Sequence, residues 1–102
     1  MRFMANVNLL EIKGTGNLIP QMLNIVKEGN LEKAVVDQIA TLVTNKSAVF
    51  YGFTVSDYAL ASLFWIGTPY STMMFNRAFN GLHKGDKKKV QALIDQKAYR
   101  VM

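Results

Sequence analysis

The feature that most constrains the fold is the stretch of residues 47–76, in which Asp57 is the single charged residue. This stretch also contains most of the aromatic residues of the 102-residue chain. Removing so much apolar surface from water is the main driving force of folding. The stretch is therefore expected to form the centre of the domain, to face a partner, or to do both.

One helix within this stretch has clear signals at both ends. Thr54 and Asp57 have the spacing of a capping box, and Gly67 followed by Pro69 can stop a helix. The predicted helix, residues 55–66, would be roughly 18 Å long, whereas a bilayer core is ~30 Å thick. The pattern favours a buried core helix. A membrane-associated subunit anchored through residues 48–75 is a less favoured alternative.

Apolar residues with helical spacing predict further helices on both sides. One is capped by Asn17, has Pro20 in its first turn and ends at Gly29, and the next runs from a cap at Asn30 to about Thr44. The short link at Gly29 predicts that these two form an antiparallel hairpin.

Two further helices are predicted after the central one. The first follows the cap Thr68, with Pro69 at its first position and an apolar stripe reaching Leu82. The last begins with Asp86 as its cap. Residues 1–13 fit both a helix and an extended strand, with a helix favoured. The predicted fold is an all-α, compact bundle of four to five short helices, in one domain covering residues 1–102.

The net charge of +5 is confined to the last quarter of the chain. Residues 77–102 contain seven basic and two acidic residues, whereas residues 1–76 contain five of each. Such asymmetry favours an anionic partner.

Three adjacent lysines lie near the predicted start of the last helix. If Asp86 caps that helix, Lys87, Lys88 and Lys89 fill its first turn, where the helix dipole opposes cations by on the order of 1–2 kcal/mol in total. A solvated charged turn explains these lysines; alternatively, they and the helix start form an anion site. The predicted anion- or partner-binding residues are Arg77, Lys84, Lys87, Lys88, Lys89 and Arg100.

The helix at residues 55–66 is apolar nearly all round, and few helices in a chain of this size can be surrounded completely. Part of this region is therefore predicted to face a protein partner or a second copy of the chain. The candidate interface residues are Trp65, Tyr70, Met73 and Met74, since aromatic and methionine side chains are frequent in interfaces.

Residues suited to catalysis or metal binding are few. The chain has no cysteine and one histidine, His83, and its carboxylates lie in separate predicted helices without forming an evident pair. We therefore predict no catalytic residue, no metal and no cofactor, and we expect that the protein is not an enzyme. The absence of cysteine is compatible with a reducing compartment, and no signal peptide is evident, so a cytoplasmic location is predicted.

The predicted function is binding of a macromolecular partner, as an adaptor, inhibitor or assembly component. The partner is expected to be a protein, with an acidic surface as one candidate, and the chain is expected to form homo-oligomers. A nucleic-acid-binding module that uses Lys84 and residues 87–89 on phosphates is the alternative, because lysine contacts phosphate without sequence preference.

Overall fold

The computed structural model of the protein describes Leu9 and residues 15–29, 32–49 and 52–97. The elements in these residues are α1 (Thr15–Glu28), α2 (Lys33–Thr41), a short 3-10 helix (Leu42–Thr44), α3 (Val55–Ile66), α4 (Pro69–Phe79) and α5 (Lys84–Gln96). The pairing of Ala48 with Thr54 is an isolated antiparallel bridge in the loop before α3. The predicted all-α class is confirmed.

Helix α3 lies at the centre, and each of the other elements packs against it. Every residue from 55 to 63 is buried, including the polar residues Ser56, Asp57 and Ser62. A helix this apolar becomes stable only when neighbours cover all of its faces. Here the surrounding helices provide that cover, so the nearly uniform apolar character of α3 reflects a core position along most of its length.

Local signals define both ends of α3 as predicted. The Asp57 N–H donates to Thr54 Oγ1 at 3.3 Å, and the Thr54 N–H donates to Asp57 Oδ2 at 2.9 Å, which completes the capping box. Gly67 has a φ of 72°, a left-handed conformation that a glycine adopts without steric cost. Thr68 then caps α4 by accepting the N–H of Ser71, and Pro69 occupies the first turn.

The starts of α1 and α2 differ from the prediction. α1 begins at Thr15, so Pro20 lies inside the helix and not in its first turn. α2 begins at Lys33 with Glu32 as its N-cap, and the predicted cap Asn30 lies outside the described residues. The predicted hairpin of these helices is wrong as a packing unit, because both pack mainly on α3.

The start of α5 is also earlier than predicted. His83, not Asp86, is the N-cap, and Lys84, Gly85 and Asp86 form the first turn. With Asp86 as the predicted cap, Gly85 would precede the helix, but a glycine is tolerated at a helix start more readily than in its interior. As a result, residues 87–89 lie in the second turn of the helix.

Most of residues 1–13 lie outside the described part of the chain, so the helix predicted there is not described. Leu9 is the exception: it is buried, and its N–H donates to Gln38 Oε1 of α2 at 2.6 Å. Across the described ranges, no helix combines the length and apolar character needed to cross a membrane.

Candidate partner-binding surfaces

The lysines of α5 point in several directions. Consecutive residues of an α-helix are about 100° apart, so three adjacent lysines cannot share one face. Lys84 and Lys88 are four residues apart and therefore lie on one face, where both are exposed. We call this pair the α5 basic face. Neither amine contacts a carboxylate of the described residues.

The other two lysines contact the body of the domain. The Lys87 Nζ lies 5.7 Å from the ring centroid of Phe79, at the end of α4. The Lys89 Nζ donates to the carbonyl of Gly52, in the loop before α3, at 3.2 Å. These contacts join the second turn of α5 to two neighbouring elements, and they divide the predicted lysine cluster into an exposed pair and two tethered residues.

The N-terminus of α5 lacks a side-chain cap, because His83 makes no capping hydrogen bond. The first N–H groups of a helix have no intrahelical acceptor, and they favour a nearby anion. Asp86 lies in the first turn, where the dipole favours an acid. Since the dipole effect falls off beyond the first turn, residues 87–89 oppose the helix less than the sequence suggested.

Arg77 lies on a different surface from these lysines. Arg77 and Phe79 are two residues apart on α4, so they project about 200° from each other, and it is Phe79 that meets Lys87 of α5. Arg77 instead lines an open groove of about 290 Å³ between α4 and the end of α2. We call it the α2–α4 groove; its lining residues are Ala40, Val43, Met74, Arg77 and Ala78. The sixth predicted basic residue, Arg100, lies outside the described residues.

Two of the predicted apolar interface residues make contacts inside the domain. The Trp65 indole N–H donates to the Ile94 carbonyl at 3.3 Å, which joins α3 to α5. The Tyr70 hydroxyl donates to Asp37 of α2, and the Lys33 Nζ lies 4.9 Å from the centre of the Tyr70 ring. Both aromatic side chains are half-buried and hold helices together.

The hydrogen bond to Asp37 raises the pKa of the Tyr70 phenol above its usual value of 10.0. Desolvation and the negative charge of Asp37 raise that pKa further, whereas the positive charge of Arg77 lowers it. The neutral phenol is therefore favoured, because only this form can donate a hydrogen bond to the carboxylate.

The two predicted interface methionines lie in different environments, one in solvent and one in the α2–α4 groove. Met73 is 44% exposed, and Met74 lines the α2–α4 groove beside Arg77. Phe64, which was not among the predicted interface residues, is 49% exposed at the end of α3. Phe64 contacts Phe75, with ring centroids 5.4 Å apart. The sequence signal that could have identified Phe64 was its position in the last turn of the predicted helix, residues 55–66. The predicted homo-oligomer stays a prediction.

The described residues bring no metal-binding cluster together, since no three histidine or carboxylate side chains converge. His83 is exposed and forms the N-cap of α5 through its backbone. No protein-family model matches the chain, and comparison with curated proteins and with solved structures finds no similar protein.

Proposed function

We propose that the protein is a non-enzymatic interaction protein that binds an acidic surface of a protein partner through the α5 basic face. The observation that carries the proposal is that the amines of Lys84 and Lys88 have no partner among the described residues. Like charges four residues apart on a helix destabilise it by a few tenths of a kcal/mol. An anionic partner would remove this repulsion and gain the field of the helix N-terminus as well.

The basic face is held on a fixed support, which favours binding. Lys87 and Lys89 anchor the same turn of α5 to Phe79 and to the Gly52 carbonyl. Val90 is fully buried directly after them. A preorganised surface loses less conformational entropy on association than a mobile tail does.

The surroundings of the lysines favour an acidic protein over a nucleic acid strand. Single-strand binding combines basic residues with aromatic rings on which bases stack. Among the described residues, Phe79 is the ring that contacts one of these lysines, and its neighbours are the stacked ring of Phe75, at 4.9 Å and 20°, and the Lys87 amine. These contacts leave little of the ring free for a base.

The proposal is tested with two polyanions, poly-L-glutamate and a single-stranded DNA oligonucleotide of equal charge. The double variant Lys84→Gln/Lys88→Gln should bind poly-L-glutamate at least about tenfold more weakly, or ~1.4 kcal/mol. The matched control Lys46→Gln/Lys97→Gln removes the same charge from two other exposed positions and should change the affinity less than about twofold.

Two results would contradict the proposal. Equal losses in both double variants would show that only net charge matters. Tighter binding of the oligonucleotide than of poly-L-glutamate, with a steep decrease as salt rises, would favour the nucleic-acid alternative.

A further inference from the structure

We infer that the α2–α4 groove is an anchor site for a segment of the protein partner that presents an aliphatic side chain beside a carboxylate. The inference rests on the proposed protein-binding function but concerns a second surface. The groove combines Met74, from the predicted apolar set, with Arg77, from the predicted basic set. The structure therefore brings together two residues that the sequence assigned to separate surfaces.

The shape of the groove follows from the residues along the two helices. Near the start of α4, the Tyr70 hydroxyl bonds Asp37, and this contact ties α4 to α2. Further along, Ala40 and Ala78 have short side chains, and a space remains between the helices. The walls of this space are alkyl groups and the Met74 thioether, which can adjust its shape to an apolar guest.

The size of the groove favours a partner's side chain over a free small molecule. Its volume of about 290 Å³ lies just below the range of ~300–1,000 Å³ that is typical of small-molecule pockets, and it is open along one side. Its α4 wall, from Met74 to Ala78, covers only about one helical turn, roughly 6 Å. A space of this kind accepts one anchor residue from a larger surface, and the rest of the interface then excludes water around it.

Arg77 defines the charge of the expected partner. Its side chain is exposed, and no carboxylate of the described residues pairs with it. Asp37, on the facing helix, instead accepts the Tyr70 hydroxyl. A guanidinium group binds a carboxylate through two parallel hydrogen bonds, so it selects an acidic residue next to the apolar anchor. Arg77 also lies in the last turn of α4, where the helix dipole favours a positive charge.

The test is a selection of random 12-residue displayed peptides on the full chain. Enriched peptides should pair Leu, Ile or Met with Asp or Glu within four positions. Selection on the charge-reversed variant Arg77→Glu should enrich Lys or Arg in place of the acid. For one selected peptide, Arg77→Gln should lower the affinity about five- to tenfold, and it should have no effect on a peptide whose acid is replaced by its amide.

Two variants that fill the groove, Ala40→Leu and Ala78→Leu, should each weaken the selected peptide at least about tenfold. Circular dichroism identifies a filled variant that fails to fold, and the other then serves as the test. The control Lys97→Gln removes one positive charge from an exposed position outside both proposed surfaces and should leave peptide affinity unchanged.

The inference is overturned if no peptide is enriched, if enriched peptides lack an acid, or if folded filled variants bind them as the wild type does. Its failure is distinguishable from failure of the proposed function. The poly-L-glutamate measurement depends on Lys84 and Lys88, whereas the peptide measurement depends on Ala40, Ala78 and Arg77.

Discussion

Helices α3 and α5 have similar lengths but differ in what stabilises them. α3 is buried on all sides over residues 55–63, with a capping box at its start and a left-handed glycine at its end. α5 contributes Val90, Leu93 and Ile94 to the core, has no side-chain cap at its start, and is followed by the C-cap Lys97, whose φ is 51°. A non-glycine residue in this conformation has a steric cost. α3 is therefore stabilised along its length and at both ends, whereas α5 has exposed lysine side chains and N-terminal N–H groups without a side-chain cap.

The largest expected difference between the two helices comes from truncating a core side chain. Leu60 of α3 is 0% exposed, so Leu60→Ala should lower the free energy of unfolding by about 2–5 kcal/mol through lost burial and a residual cavity. Lys88→Ala on the exposed face of α5 should change it by less than about 0.5 kcal/mol. Urea denaturation measures the free energy of unfolding of both variants. A loss below about 1 kcal/mol for Leu60→Ala would contradict the central position of α3.

Two buried serines of α3 allow a matched comparison, and their substitution should change the free energy of unfolding less than Leu60→Ala does. The Ser56 hydroxyl donates to the Val43 carbonyl, whereas the Ser62 hydroxyl has no hydrogen-bond partner among the described residues, although both serines are 0% exposed. Ser56→Ala should therefore destabilise the protein by about 1–3 kcal/mol, because the partly buried carbonyl of Val43 loses its donor. Ser62→Ala should be neutral or stabilising by about 1 kcal/mol, since it removes a buried group whose burial is uncompensated. Equal losses in both variants, measured by denaturation, would rule out this difference in hydrogen bonding.

The helix starts offer a third comparison. Thr54→Ala removes the cap of α3 and should cost about 1 kcal/mol. His83→Ser introduces a side chain that can cap α5 and should raise stability by about 0.5–1 kcal/mol, because His83 now makes no such bond. Thermal unfolding of both variants checks whether Thr54→Ala lowers the stability and His83→Ser raises it. A stability loss in His83→Ser would show that the histidine side chain supports the helix in another way.

The smallest expected effect concerns alkaline pH at the contact between α2 and α4. Because the folded-state pKa of Tyr70 is raised, its stabilising contribution is present below pH 10 and is lost as the pH rises through that raised pKa. Tyr70→Phe keeps the ring beneath Lys33 but removes the hydroxyl. The stability advantage of the wild type over this variant should shrink above about pH 10, as measured by urea denaturation at several pH values. An advantage independent of pH would contradict the role of the hydrogen bond to Asp37.

The accuracy of the predicted helix bounds follows the strength of the local signals. α3 was predicted correctly at both ends, because its caps depend on residues within a few positions of each other. The same is true of the start of α4 at Thr68 and Pro69. Asp86, in contrast, resembles a cap by residue type, but an acid is equally favourable inside the first turn. Residue type alone therefore did not identify the start of α5.

The candidate surfaces were predicted less completely than the helices. The sequence identified Lys84 and Lys88 as part of a basic region, but grouped them with Arg77, which lines a groove on another flank of α4. The sequence also did not show that the Trp65 indole joins α3 to α5, and the interface role of this residue stays a prediction. Charge and hydrophobicity predict that a residue takes part in binding or packing, but they do not specify which neighbouring element it meets.

The sequence by itself determined the helical class, the burial of α3 and the confinement of positive charge to the last quarter of the chain. These properties depend on composition and on residues close together along the chain. The tertiary structure alone decided that Met74 and Arg77 share a groove with Ala40, and that Lys87 and Lys89 are tethered while Lys88 is exposed. Contacts between helices depend on the angles at which their side chains interlock, and these angles are set by the packing of all the helices around α3.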